Sequence, residues 1–175
     1  MQNLKTSRLI LVPVSQSHTL DVFENFNLDI ILYMAPSVAS HINETKEVIQ
    51  SFIDQRKNDT DHVYAITLKD SNEFIGLVGL HNLKSEIPEI GIWTKLSAHG
   101  NYFGREAVGA IIKHAKDMNI MKVSYPVDRR NIASRKIPLF YGAKLITAYK
   151  KVETSDGRIL EEEIYEISTQ YPDLV

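Results

Sequence analysis

The stretch Ala98-His99-Gly100-Asn101-Tyr102-Phe103-Gly104-Arg105-Glu106-Ala107 lies between a segment of strand character and one of helix character. After it, Ala107, Val108, Ile111, Ile112 and Ala115 recur at helical spacing, so a helix is expected to run to about Met118. Before it, Pro88 to Thr94 reads as a strand. A helix start presents unpaired N–H groups and the positive end of the helix dipole, so a slim loop at that place makes an anion site. Gly100 and Gly104 permit the close approach that a phosphate needs. Taken alone, two glycines do no more than shape a strand-to-helix turn. No Gly-Lys-Ser/Thr follows, so the loop is not a Walker motif.

Working outward, Arg8 to Val14 reads as a first strand, His18 to about Leu28 as a short amphipathic helix, and Glu44 to Lys57 as a second helix preceded by Asn43. Val48, Ile49, Phe52 and Ile53 form the apolar stripe of that second helix. His62 to Leu68, Glu73 to His81 and Pro88 to Thr94 are expected to form an antiparallel meander. Met121 to Val127 is a further strand and Asn131 to Tyr141 a further helix, stopped by Gly142. Ala143 to Val152 and Ile159 to Ile167 are joined by Ser155-Asp156-Gly157, a strong hairpin signal. Leu4 to Ser7 and the tail after Ser168 read as loosely held. No repeat or linker divides the chain, so 1–175 is expected to be one domain of α+β (mixed α/β) class around a single sheet.

Composition narrows the function. The chain has 175 residues, 43% hydrophobic and 24% charged, which suits one globular core. The 20 basic and 22 acidic side chains are interspersed, so no footprint for nucleic acid is expected. No apolar run approaches the ~20 residues of a membrane span and no secretory leader is evident, which makes a cytoplasmic location the expectation. With no cysteine, disulfides, thiolate metal sites and a cysteine nucleophile are excluded. The six histidines lack the spacing of a zinc site, so no metal is expected.

The quoted loop resembles the acetyl-CoA pyrophosphate loop of the GNAT superfamily, whose pattern is Gln/Arg-x-x-Gly-x-Gly/Ala, often followed by Glu-Ala. Here His99 stands at the Gln/Arg place, Tyr102 at the first Gly, Gly104 at the second, and Glu106-Ala107 follows. Asn131-Ile132-Ala133-Ser134 resembles the Asn-x-x-Ser segment of the branch that includes ribosomal-protein N-terminal acetyltransferases. Ile75 to His81 and Pro88 to Trp93 resemble two central strands of that branch, so the likeness spans nearly the whole chain. The resemblance implies a GNAT-like fold: a mostly antiparallel sheet of about seven strands, splayed in the middle and flanked by about four helices. It implies acetyl-CoA as co-substrate, held by Ile92, Trp93 and Thr94 along one strand, by His99, Gly100, Asn101, Tyr102, Phe103, Gly104 and Arg105 in the loop, and by Asn131 and Ser134. Gly91 inside the strand fits either a close backbone approach or simple packing.

The implied reaction is acetyl transfer to a primary amine by direct attack in a ternary complex, with a peptide N-terminus or a small amine as acceptor. An α-amine has a pKa of about 8 and lysine about 10.4, so a group must take a proton. Glu89 is the first candidate for a general base acting through water, with Glu86 as an alternative; Glu89 also reads as a solvent-facing residue or an anchor for the amine. In many GNAT enzymes a tyrosine protonates the departing thiolate, but its place here holds Pro138, which leaves Ser134 as the donor or as a cofactor ligand only. Asn131 reads equally as a helix N-cap, Tyr141 as core, His81 as structural, and Glu161-Glu162-Glu163 first as a solvated strand end. A different function class stays open, an acyl-CoA sensor or partner-binding module without turnover. A homo-oligomer is also open.

Overall fold

The computed structural model describes residues 1–170. Its strands are β1 Leu4–Lys5, β2 Leu9–Pro13, β3 His62–Leu68, β4 Phe74–His81, β5 Glu89–Thr94, β6 Lys122–Asp128, β7 Lys144–Glu153 and β8 Ile159–Ser168. The helices are α1 Thr19–Asn25, α2 Leu28–Ile31, α3 Ile42–Lys57, α4 Phe103–Asp117 and α5 Ile132–Phe140. One sheet contains all eight strands in the order β1-β2-β3-β4-β5-β6-β8-β7. Every neighbouring pair is antiparallel except β5 and β6, which run parallel.

That exception makes the site. β5 pairs with β4 along its length, from His81↔Glu89 to Gly76↔Thr94. Against β6 it registers only at Glu89↔Ser124, beside a Ser124 N–H bonded to the Pro88 carbonyl at 2.8 Å. β6 continues in full pairing with β8 to Asp128↔Glu162, so the two parallel strands part beyond Glu89 and leave a wedge open between them.

Period-two alternation divides the core between the two faces. Tyr64, Ile66, Val78, Leu80 and Ile90 pack with Ala107, Val108, Ile111, Ile112 and Ala115, the five α4 residues expected inside. On the opposite face Val63, Ala65 and Leu77 meet Val22 of α1 and Ile49 of α3. Val48, expected in the α3 stripe, is 49% exposed instead. The helix expected from His18 to Leu28 breaks at Phe26, because the Asn27 side chain accepts from the N–H groups of Asp29 and Ile30 and starts α2. α3 starts at Ile42, so Asn43 lies inside it, and His41 caps it, its Nδ1 accepting from the Asn43 N–H at 3.2 Å.

The largest departure is at the N-terminus. Leu4 to Ser7 is not loose: Leu4 pairs with Leu11 and Lys5 with Ile10, which adds the eighth strand. The Glu106 carboxylate in the first turn of α4 then collects Thr6 Oγ1 at 2.6 Å, the Arg8 N–H at 2.8 Å and Arg8 Nε at 2.7 Å. Burial alone would raise the Glu106 carboxyl, but these donors hold it below its ordinary value. A carboxyl depressed in the folded state stabilises above its unfolded value of about 4.3 and loses that contribution as pH falls through the lower folded value. Glu106→Ala is therefore expected to cost about 1–2 kcal/mol at neutral pH, a fall in Tm of roughly 3–6 °C, with faster hydrogen exchange in Leu4 to Arg8. Unchanged exchange there would mean that the strand pairing alone holds the segment. At the other end, Thr169 bonds the backbone of Ile120 and Met121, and the rest of the expected loose tail, 171–175, lies outside the described residues.

Candidate active site

The wide end of the wedge meets the N-terminus of α4. Tyr102 is the N-cap residue in left-handed conformation, with φ 62° and ψ 14°, at the place where the resemblance expects glycine. An L-residue held there costs about 1–2 kcal/mol relative to helical backbone, so the loop conformation is imposed by its surroundings. Among the described residues no side chain caps α4, and its first-turn N–H groups point out of the helix end. The phenol of Tyr102 is 67% exposed and leans on Arg105, whose guanidinium lies 4.6 Å from the Tyr102 ring and 4.1 Å from the Phe140 ring. That stacking places a fixed positive charge beside the helix end.

The loop is braced from within. His99 Nε2 donates to the Thr94 carbonyl at 2.9 Å, and Asn101 Nδ2 donates to the carbonyls of Ala98 and His99. Gly100 has φ 81°, a backbone suited to glycine, and a Cβ there would meet nothing within 4 Å. A Cβ at Gly104 would instead point at Ile137 Cδ1, 3.5 Å away, and Ile92 Cδ1, 3.6 Å away, so Gly104 sits where α4, β5 and α5 converge. Phe103, next to it, lies under the Arg8 guanidinium at 4.7 Å.

Along β5, Ile92, Trp93 and Thr94 are half-buried, and the strand edge beyond Glu89 faces the wedge. The Trp93 ring is committed to packing, 5.0 Å from Phe26 and 5.8 Å from Phe74, which leaves its backbone for any ligand. Glu89 is half-buried at the point of the wedge. Burial pushes its carboxyl up, against a lowering influence from His81 and with a further rise from Glu162. Glu86 is exposed in the preceding turn.

On the β6 side, Asn131 caps α5, its Oδ1 accepting from the Ser134 N–H at 3.1 Å. Ser134 Oγ lies 2.9 Å from the phenol oxygen of Tyr125, a buried residue of β6 whose hydroxyl burial pushes up to about 12. A phenol that stays protonated can hold the serine hydroxyl in place by donating to it or accepting from it. Nothing in the sequence singles out Tyr125, which looks like any core residue of an alternating strand. Tyr141 is core, its hydroxyl donating to the Arg105 carbonyl at 2.7 Å.

Glu161 to Glu163 is not a solvated strand end. Glu163 is buried, accepting from Tyr165 at 2.8 Å and pairing with Arg135 Nε at 3.0 Å, and Glu161 pairs with Arg129. The buried Asp128 binds Arg130 and the Glu161 N–H, so these pairs fix the turn from β6 into α5 that carries Asn131 and Ser134.

A mixed sheet split between two parallel strands, with an uncapped helix end facing the split, defines the class of the GNAT acyltransferase folds. Residues 8–144 match the model of the Acetyltransferase (GNAT) domain, and the chain belongs to that family of enzymes. Among solved structures it is similar to an acetyltransferase from Salmonella typhimurium described as modifying the N-terminal serine of ribosomal protein L7/L12, at 17% identity and TM-score 0.84 over 95% of this chain and 99% of that one. It is also similar to a GNAT-family acetyltransferase from Bacillus anthracis, at 18% identity and TM-score 0.84 over 97% and 99%. A third likeness is to RimL, a ribosomal L7/L12 α-N-protein acetyltransferase in complex with coenzyme A, at 17% identity and TM-score 0.82 over 95% and 98%. At these identities the likeness is one of fold. No curated protein sequence matches the chain.

Proposed function

We propose that the chain transfers an acetyl group from acetyl-CoA to a primary amine, a peptide N-terminus or a small-molecule amine, by direct attack within a ternary complex. The observation that carries this reading is the wedge between β5 and β6, opening toward an uncapped α4 end flanked by Arg105. In this reading the diphosphate lies against the loop His99, Gly100, Asn101, Tyr102, Phe103, Gly104 and Arg105, where amides and the helix dipole favour an anion. The pantetheine arm follows the free edge of Ile92, Trp93 and Thr94, and the free amide end of Asn131 meets it from the other side. The thioester then reaches the point of the wedge beside Glu89, with a β5 N–H against its carbonyl oxygen. Bringing the amine there supplies much of the rate through proximity.

Glu89 takes the amine's proton through water, and Ser134, backed by Tyr125, hydrogen-bonds the departing thiolate. Ser134→Ala is expected to lower kcat roughly 10–100-fold while KM for acetyl-CoA changes little, because the contact strengthens as sulfur charge develops. An equal loss in acetyl-CoA affinity would make Ser134 a cofactor ligand only.

The deciding experiment is thermal melting with and without acetyl-CoA, followed by thiol release with serine-initiated peptides and polyamines. A ligand bound only by the folded state raises Tm, and at a hundredfold excess over Kd the gain is about 2.7 kcal/mol. No shift at millimolar acetyl-CoA would overturn the reading. A shift without thiol release from any amine would leave an acyl-CoA sensor in its place.

A further inference from the structure

On the sheet face opposite α4, β4 and β5 present two glycines to each other, Gly79↔Gly91, and the next registered pair on that face is His81↔Glu89. Directly opposed residues place their Cβ atoms about 5 Å apart on one side of the sheet. The imidazole of His81 folds back over the glycines: a Cβ at Gly79 would lie 2.5 Å from His81 Nε2, and one at Gly91 would lie 3.1 Å from it. With the ring in this place a side chain at Gly79 would collide with it, and one at Gly91 would press tightly against it. Gly91, for which packing and close approach are both open in the sequence, here makes room for a histidine.

The other ring nitrogen is fixed. His81 Nδ1 lies 2.9 Å from Asp61 Oδ1, with the two side chains 25% and 14% exposed. Asp61 Oδ1 also accepts the Asn82 N–H at 3.3 Å, which ties the carboxylate to the end of β4. An ionised carboxylate only accepts, so Nδ1 carries the proton and the lone pair of the neutral ring sits on Nε2. No hydrogen-bond partner meets Nε2 among the described residues. Of the charged groups, Asp61 from the chain entering β3 touches the ring, and Glu89 of β5 interacts with it through space, with Glu162 of β8 acting on Glu89 in turn; from α3 the Phe52 ring lies 6.3 Å away.

We propose that Asp61, His81 and Glu89 form one proton-acceptor set, in which His81 Nε2 takes on the proton that Glu89 draws from the bound ammonium and Asp61 holds the ring in the tautomer that can do so. This rests on the acetyltransferase reading above. The ammonium gives one proton through water to Glu89, which passes it through a further water to Nε2, and the imidazolium sheds it to solvent. The neutral nitrogen then attacks the thioester carbonyl carbon. As the C–S bond breaks, the nitrogen's second proton goes to sulfur by way of Ser134, giving the amide, the free thiol and one proton released. The carboxylate alone returns to its ionised form only by exchange with whatever water reaches a half-buried place; the imidazole gives it a fixed acceptor. Asp61 is a positioning residue here, since it reaches the substrate only through His81.

The test uses the whole chain, acetyl-CoA, and either a serine-initiated peptide or spermidine as acceptor. For the wild type, log kcat/KM is expected to rise with pH on its acid limb at a slope approaching two. His81→Gln should bring the slope to one and lower kcat roughly 100-fold, while the acetyl-CoA melting shift persists and shows that the variant is folded. Asp61→Asn, whose amide can donate to Nδ1, should lower kcat similarly without changing KM for acetyl-CoA, and Asp61→Glu should recover part of it. Independently of any variant, imidazole 15N resonances of the wild type should show neutral His81 protonated on Nδ1 and bare on Nε2. The opposite tautomer, or a His81→Gln enzyme with unchanged slope and turnover, overturns this inference alone. Absence of thiol release by the wild type with either acceptor overturns it together with the proposed function.

Discussion

Glu89→Gln is expected to lower kcat for amine acetylation by about 10²–10³-fold at neutral pH and, at the same time, to leave the protein as stable as before or more so. Both effects come from one property of the site. Burial at the point of the wedge raises the Glu89 carboxyl, the nearby Glu162 raises it further, and His81 opposes them. A general base works only when ionised, so wild-type turnover should fall as pH drops through this raised value. The glutamine variant should lack that limb. Stability runs the other way: a carboxyl raised in the folded state favours folding below its unfolded value of about 4.3, and that advantage is lost as pH rises through the folded value. Above the folded value the ionised, half-buried carboxylate is therefore a burden on the fold, which glutamine removes. Initial rates of thiol release between pH 5 and 9, beside melts of both proteins at pH 7, measure the two together. Intact turnover at every pH would remove Glu89 as the base, and a loss of both rate and stability would make it a structural residue.

Much of this frame is legible in the order of residues alone, because periodicity reports on burial. The strands His62–Leu68, Phe74–His81 and Glu89–Thr94 fall where alternation places them, and α4 buries the five residues its spacing selects. The pattern fails at places where one polar side chain decides a boundary. Asn27 restarts a helix that apolar spacing alone would run through, and Glu106 fixes an N-terminal strand a hundred residues away in sequence. Short-range patterns carry no information about such a partner.

The same division holds in the site. The helix mouth is legible because a glycine loop, a helix start and their order are local features, and the matching family carries that order. Tyr125 beside Ser134, and Asp61 beside His81, are not legible, since each pair joins residues on different elements. Asn131 shows that two readings need not compete: its carbonyl oxygen caps α5, and among the described residues no partner takes its amide end. Glu163 escapes sequence reasoning because a run of three acidic residues looks solvated until Arg135 and Tyr165 are seen to enclose the last of them.

Gly104→Val is expected to abolish acetyl-CoA binding while sparing the fold, and Gly104→Ala to spare both. A Cβ at this position would stand 3.5 Å from Ile137 Cδ1, 3.6 Å from Ile92 Cδ1 and 4.0 Å from Thr94 Cγ2, ordinary contact distances that alanine can accept. Valine adds two methyl groups beyond that Cβ, in the space where β5 and α5 face each other across the wedge. If they force their neighbours apart, overpacking costs about 1–3 kcal/mol, which melting without ligand will record. Whether or not they do, they occupy the path between the helix mouth and the point of the wedge, so the diphosphate and the thioester cannot both reach their places. KM for acetyl-CoA should rise at least 100-fold, about 2.7 kcal/mol, and the ligand-induced rise in Tm should vanish at concentrations that shift the wild type. Tyr102→Gly separates this blockage from backbone strain: it releases a left-handed non-glycine residue and should stabilise the protein by roughly 1 kcal/mol without closing the wedge. If Gly104→Val binds acetyl-CoA as tightly as the wild type, the cofactor does not pass between Ile92 and Ile137, and the helix mouth is not where its phosphates rest.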